Sequence, residues 1–148
     1  MENIIKKILR EQVSGKERVR QMAIDALFKA YVVDTKRTMI DATLRDMNMF
    51  QPKAWDILEN IYGISKYNDP ELFNDIINTW ISNVLGVPKL GSTIRIINME
   101  DTQGPPPGTL GVVWRYNDTP WETQLSVKWE NGRYLDVIPS VDEYEVLS

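Results

Sequence analysis

Apolar positions recur every three or four residues up to about residue 86. Beyond it, short runs alternate apolar with polar and are broken by Gly and Pro. The first pattern predicts helices and the second predicts strands. Ile4, Ile5, Ile8, Leu9 and Val13 mark a short amphipathic opening helix. Ser14-Gly15-Lys16-Glu17 has the spacing of a capping box, so a second helix is expected to start there, with Val19, Met22, Ala26, Leu27, Ala30 and Tyr31 on one face. Thr38 and Asp41 repeat that spacing ahead of Leu44 and Met47. They suggest a third helix, with Val32 to Thr35 as the weak point before it. Pro52 suits the first turn of a fourth, because its missing N–H would be unpaired there anyway. Trp55, Leu58, Ile61 and Tyr62 form its stripe and Gly63 its stop. Asp69 as cap and Pro70 as first position open a last helix with a broad apolar face from Leu72 to Leu85, and Gly86 ends it.

Val87 to Ser92 separates the two patterns, so domains are expected at 1–88 and 91–148. Strands are expected at 93–99, 112–116, 124–129, 134–138 and 143–147. Three prolines, Pro105 to Pro107, make a rigid loop after the first strand, and Asn131-Gly132 is a strong hairpin signal. On strand parity, Val112, Trp114 and Tyr116 share one face, and Val127 and Trp129 share parity on the next strand, most of them in the core. The expected fold class is α+β: an N-terminal all-helical region of four or five helices, then a five-stranded SH3-like barrel.

Two blocks in the second half carry a resemblance: IRIINMEDTQGPPPGTLGVV, from Ile94, and QLSVKWENGRYLDVIPSVDEYEVL, from Gln124. They are similar to the domain-of-unknown-function family 4314. Its marks are V-R-L-I-x-M-x-D, P-P-G-T-x-G-x-V, V-x-W-D-N-G and L-x-L-I-P-x-V-D-E-x-E-V, in that order. Glu130 stands where Asp is usual, Thr102 replaces a usual Pro, and the turn from Thr119 to Thr123 is longer than in many members. The resemblance implies an SH3-like barrel, common in bacteriophage and mobile-element proteins, with no assigned catalytic residue. It places Gly108 and Gly111 about a turn like that of KOW modules, where glycine serves positive φ or close packing.

Composition narrows the chemistry. The 148 residues contain no Cys and no His. Thiolate metal sites and cysteine nucleophiles are excluded, and the usual general base of neutral-pH catalysis is missing. Glu100-Asp101 and Asp142-Glu143, with Glu145, could offer oxygens to a divalent cation, but no calcium-loop spacing accompanies them. Ser126 and Ser140 have no His to activate them, and the Gly108–Gly111 turn lacks the Lys-Ser/Thr of a phosphate loop. No catalytic residue, metal ligand or cofactor is assigned, and an enzyme is not expected.

Net charge is −4, yet residues 1–40 hold nine basic and five acidic side chains. A basic surface, if present, would lie on the first helices, at Lys6, Lys7, Arg10, Lys16, Arg18 and Arg20, with Lys29, Lys36 and Arg37 beyond. In the strand region Trp121 follows Pro120 in a turn, and with Arg115, Arg133 and Tyr134 it could form a binding face. No apolar run reaches the ~18 residues of a membrane span, and no signal-peptide core is present. A cytoplasmic protein is expected, or a virion component if viral. The expected function is non-catalytic binding or assembly in a phage or phage-derived setting, with a protein partner that includes a second copy of itself. Nucleic-acid binding through the basic helices and the barrel is the alternative, and no membrane partner is expected.

Overall fold

The computed structural model describes the backbone of residues 4–35 and 43–148, and the side chains of 15–34 and 43–148. Among the described residues there are three helices, α1 (Ile4–Thr35), α2 (Leu44–Tyr62) and α3 (Pro70–Leu85). Five strands follow: β1 (Thr93–Asn98), β2 (Leu110–Asp118), β3 (Thr123–Trp129), β4 (Tyr134–Val137) and β5 (Glu143–Val146).

The helices are fewer and longer than the sequence punctuation suggests. α1 runs unbroken through Ser14-Gly15 and through Val32–Thr35. A glycine inside a helix costs only about 1 kcal/mol against alanine, less than the backbone hydrogen bonds a break would forfeit. Pro52 lies inside α2, not at its start. Leu44, Met47, Phe50, Ala54 and Leu58 are all buried, so one stripe passes straight through the proline. Pro52 and Asn48, whose carbonyl loses its partner, both face solvent, where water satisfies the freed group. The cap of α2 is Thr43, whose hydroxyl accepts from Asp46 N at 3.2 Å. The Thr38/Asp41 pair expected to cap a helix lies outside the described residues. Gly63 (φ 66°) stops α2, with Ile64 N donating to Leu58 O at 2.9 Å. Asp69 caps α3 ahead of Pro70, and Gly86 (φ 68°) ends it, as their spacing predicts.

The helices bury one core. Its centre is three rings, Tyr31, Phe50 and Trp80, one from each helix, with centroids 5.6 to 5.9 Å apart. Arg20 of α1 pairs with Asp75 of α3, and Lys16 approaches Asp69 to 3.9 Å, so these two helices run parallel.

The strands form one antiparallel sheet in the order β4-β3-β2-β1-β5. Its inner face carries a second core of Ile94, Ile96, Val113, Leu125, Val127, Trp129 and Val137. The α+β class and the five-stranded, barrel-like sheet are as expected, and the sheet is not closed. β4 and β5 have four residues each and lie at opposite edges. Pro139, with no N–H to give, stands just past β4 and ends its ladder. Five residues, 138–142, connect the two edges, so the sheet curls to bring them near each other. The buried Asp142 carboxylate fixes this corner, accepting from Ile138 N at 2.8 Å and from Glu100 N at 3.0 Å. Its role here is a backbone lock.

The connector from Gly86 to Ser92 is held from both sides. Ser82 Oγ donates to Val87 O, and Lys89 Nζ lies 3.1 Å from Asp75. From the sheet, the Tyr116 hydroxyl donates to Pro88 O at 2.5 Å.

Candidate binding face

The outer face of the sheet is shaped by one irregularity. The pairing of β2 with β3 slips by one residue between Val113 and Arg115, a bulge at Trp114. Up to Val113 the strand alternates regularly: Gly111 and Val113 face inward opposite Trp129 and Val127, and Val112 faces outward opposite Lys128. After the bulge the parity reverses. Tyr116 turns inward opposite Leu125 and packs on the core, while Trp114 stays outside at 47% exposure. The expectation that Trp114 and Tyr116 share a face is therefore corrected; strand parity holds only where pairing is regular. Burial pushes the Tyr116 phenol up to about 12.

Trp114 meets Tyr134 of β4 edge to face, at 5.9 Å between centroids and 84° between planes. Tyr134 is 61% exposed. The Arg115 guanidinium lies 4.9 Å above the Trp114 ring, and Lys128 Nζ lies 5.9 Å from the Tyr134 centroid. Among the described residues, neither Arg115, Lys128 nor Arg133 has a carboxylate within ion-pair distance. Beside this cluster runs a shallow, mainly apolar groove of about 460 Å³, lined by Thr93, Leu110, Val112, Lys128 and Glu130.

Of the four residues singled out in sequence, Arg115 and Tyr134 thus come together through Trp114. Arg133 is exposed in the β3–β4 turn, where its N–H donates to Asn131 Oδ1 at 3.0 Å. Trp121, 87% exposed, sits at the other end of β3, roughly 20 Å away along a seven-residue strand. It borders a different cleft, of about 360 Å³, with Leu85, Val87, Thr119 and Pro139. Lys128 does not stand out in the sequence; its placement opposite both Val112 and Tyr134 is a property of strand register. Trp114 reads as core on parity alone.

The basic residues of α1 are distributed differently. Lys6, Lys7 and Arg10 lie on α1 at positions whose side chains are outside the described residues, and Lys36 and Arg37 are outside them altogether. Lys16 and Arg18 are exposed. Arg20 is committed to the fold: its Nε donates to Asp75 at 2.5 Å and its Nη2 to Thr79 Oγ1 at 3.0 Å. The Arg20 hydrogen bond, aided by Lys89, draws the Asp75 carboxyl down to about 2. Among the described residues no group of three or more acidic side chains is arranged to hold a metal ion, and no helix is long and apolar enough to cross a membrane.

Residues 87–147 match the family model Domain of unknown function (DUF4314). Searches of curated proteins and of solved structures returned no match. The DUF4314 region takes in the connector and all five strands. Its motif residues build the frame. Gly108 has φ 90°, Thr109 Oγ1 donates to Pro106 O at 2.6 Å, and a Cβ on Gly111 would meet Val127 Cγ1 at 2.5 Å. Gly132, at φ 84°, completes a three-residue turn in which Trp129 N donates to Arg133 O. Trp114, Arg115, Lys128 and Tyr134, in contrast, fall at positions that the quoted DUF4314 motifs leave open.

Proposed function

We propose that this chain is a non-catalytic binding or assembly protein, phage-encoded or phage-derived, that engages a protein partner through the outer face of its DUF4314 sheet. The observation that carries this reading is the exposed Trp114–Tyr134 pair with Arg115 and Lys128 upon it. Exposed aromatic rings with cations at their faces are what binding surfaces use as anchors, and they lie clear of the residues that hold the fold. The phage or mobile-element setting rests on what the sequence resemblance of Ile94 to Leu147 implies.

A second copy of the chain belongs among the partners. α1 has 32 residues, about 48 Å, and the parallel α3 begins level with Lys16. The first turns of α1, with the apolar positions 4, 5, 8, 9 and 13, therefore precede the start of α3.

A photoreactive amino acid at position 134, in cells that make the protein, is expected to give a discrete protein adduct. Trp114→Ala, with its fold checked by amide NMR, is expected to diminish it. The reading fails if position 134 yields no more adduct than the exposed Tyr67 position of the helical region. Nucleic-acid binding is the second reading, favoured by the same rings and cations. It predicts oligonucleotide affinity that falls steeply with salt.

A further inference from the structure

We propose that the outer sheet face takes an extended peptide segment carrying one or two carboxylates next to an apolar side chain. This rests on the reading of that face as the binding surface and goes on to name its ligand chemistry.

The charge arrangement selects the ligand. Arg115 and Lys128 stand on adjacent strands, each against an aromatic ring, with no carboxylate partner among the described residues. Removing them from water costs less than for fully hydrated cations, and an incoming anion gains two charge-assisted contacts. The cluster is a point of positive charge, not a track. Glu130 and Asp136 bound it, each held in place: Glu130 accepts from Leu110 N at 3.2 Å, and Asp136 accepts from Asn117 Nδ2 at 3.1 Å. A run of phosphates would meet these carboxylates in turn, whereas one or two carboxylates can be seated on Arg115 and Lys128 alone. Beside Lys128 the groove past Val112 and Leu110 is mainly apolar, which is where an aliphatic or aromatic neighbour would lie.

The test is selection of random seven-residue displayed peptides on the full-length protein, followed by NMR titration of the best synthetic peptide and of a twelve-nucleotide oligo-dT. Selected peptides are expected to place Asp or Glu beside an aliphatic or aromatic residue and to shift the amides of Val112, Trp114, Arg115, Lys128 and Tyr134. The Arg115→Gln/Lys128→Gln variant, folded by the same spectrum, is expected to bind them about tenfold more weakly or worse. Neutral or basic peptides winning at these same amides would overturn the ligand chemistry and leave the binding face standing. Oligo-dT binding there more tightly than any peptide would overturn both the ligand chemistry and the protein partner. If neither probe moves these amides, the ligand chemistry and the binding face both fall.

Discussion

The helices and the sheet treat local sequence signals in opposite ways. In the helical region a continuous apolar stripe overrides punctuation. α1 runs through the exposed Gly15, and α2 runs through Pro52, where a break would split the buried row of Leu44, Met47, Phe50, Ala54 and Leu58. In the DUF4314 sheet punctuation prevails. Gly108 and Gly132 take positive φ, Gly111 lets Trp129 lie against the β2 backbone, and Pro139 ends β4. The difference follows from size and geometry. Among the described residues the helical core has fourteen buried residues and the sheet core seven, so in the sheet each turn and each close approach carries a larger share of the fold. A helix can absorb a poor residue on its solvent face; a short strand meets the next turn within a few residues.

The largest test of this contrast is Trp80→Ala. Its ring is buried against Tyr31 and Phe50, and removal is expected to cost about 3–5 kcal/mol. Urea unfolding followed residue by residue by amide NMR should show the helical amides lost at lower denaturant while DUF4314 amides persist. Simultaneous loss of both would mean the two cores unfold as one. Gly111→Ala is the counterpart in the sheet. The added methyl would meet Val127 Cγ1 at 2.5 Å and Trp129 Cε3 at 2.7 Å, both inside a packed core. The expected cost is about 1–3 kcal/mol, confined to strand amides. A neutral result would mean that β2 and β3 separate freely, contrary to the role given to this glycine.

Which features are legible in the sequence follows the same division. The stops at Gly63 and Gly86, the Asp69-Pro70 start and all five strands are legible because backbone conformation at those points is set locally. The continuity of α2 through Pro52 is not, since it depends on burial against other helices. The open edge between β4 and β5 and the bulge at Trp114 belong to pairing, which no single strand encodes. The site divides likewise. Arg115 and Tyr134 stand out by residue type. Trp114 and Lys128 become part of the face only through register, and Trp121 is carried away from it by the length of β3. Arg20 looks like free basic surface because its partner, Asp75, lies 55 residues away.

A smaller effect of opposite sign is expected at Gly15. It is exposed in mid-helix, and a Cβ there would meet nothing within 4 Å. Gly15→Ala is expected to stabilise the helical region by about 0.5–1 kcal/mol, read as a higher midpoint of the helical amides with DUF4314 amides unchanged. Destabilisation would instead indicate that α1 needs a break at that position, as the capping-box spacing suggests.

An effect of similar size, and one that depends on pH, falls where the two regions meet. Asp75 of α3 accepts from Arg20 of α1 and from Lys89 of the connector, and its carboxyl is drawn down to about 2, chiefly by the Arg20 hydrogen bond. A carboxyl lowered on folding contributes stability that is present above its unfolded value, near 3.9, and is lost as pH falls through the folded value. The side chain is 37% exposed, so solvent screening holds the contribution to about 0.5–1 kcal/mol. The difference in thermal midpoint between the wild type and Asp75→Asn should accordingly be constant from pH 7 to pH 5 and shrink between about pH 4 and pH 2. Salt should reduce it at neutral pH. A difference that persists unchanged down to pH 2 would show that the amide variant loses packing or hydrogen bonding and not charge. The Arg20–Asp75–Lys89 cluster would then join helices and connector by shape alone.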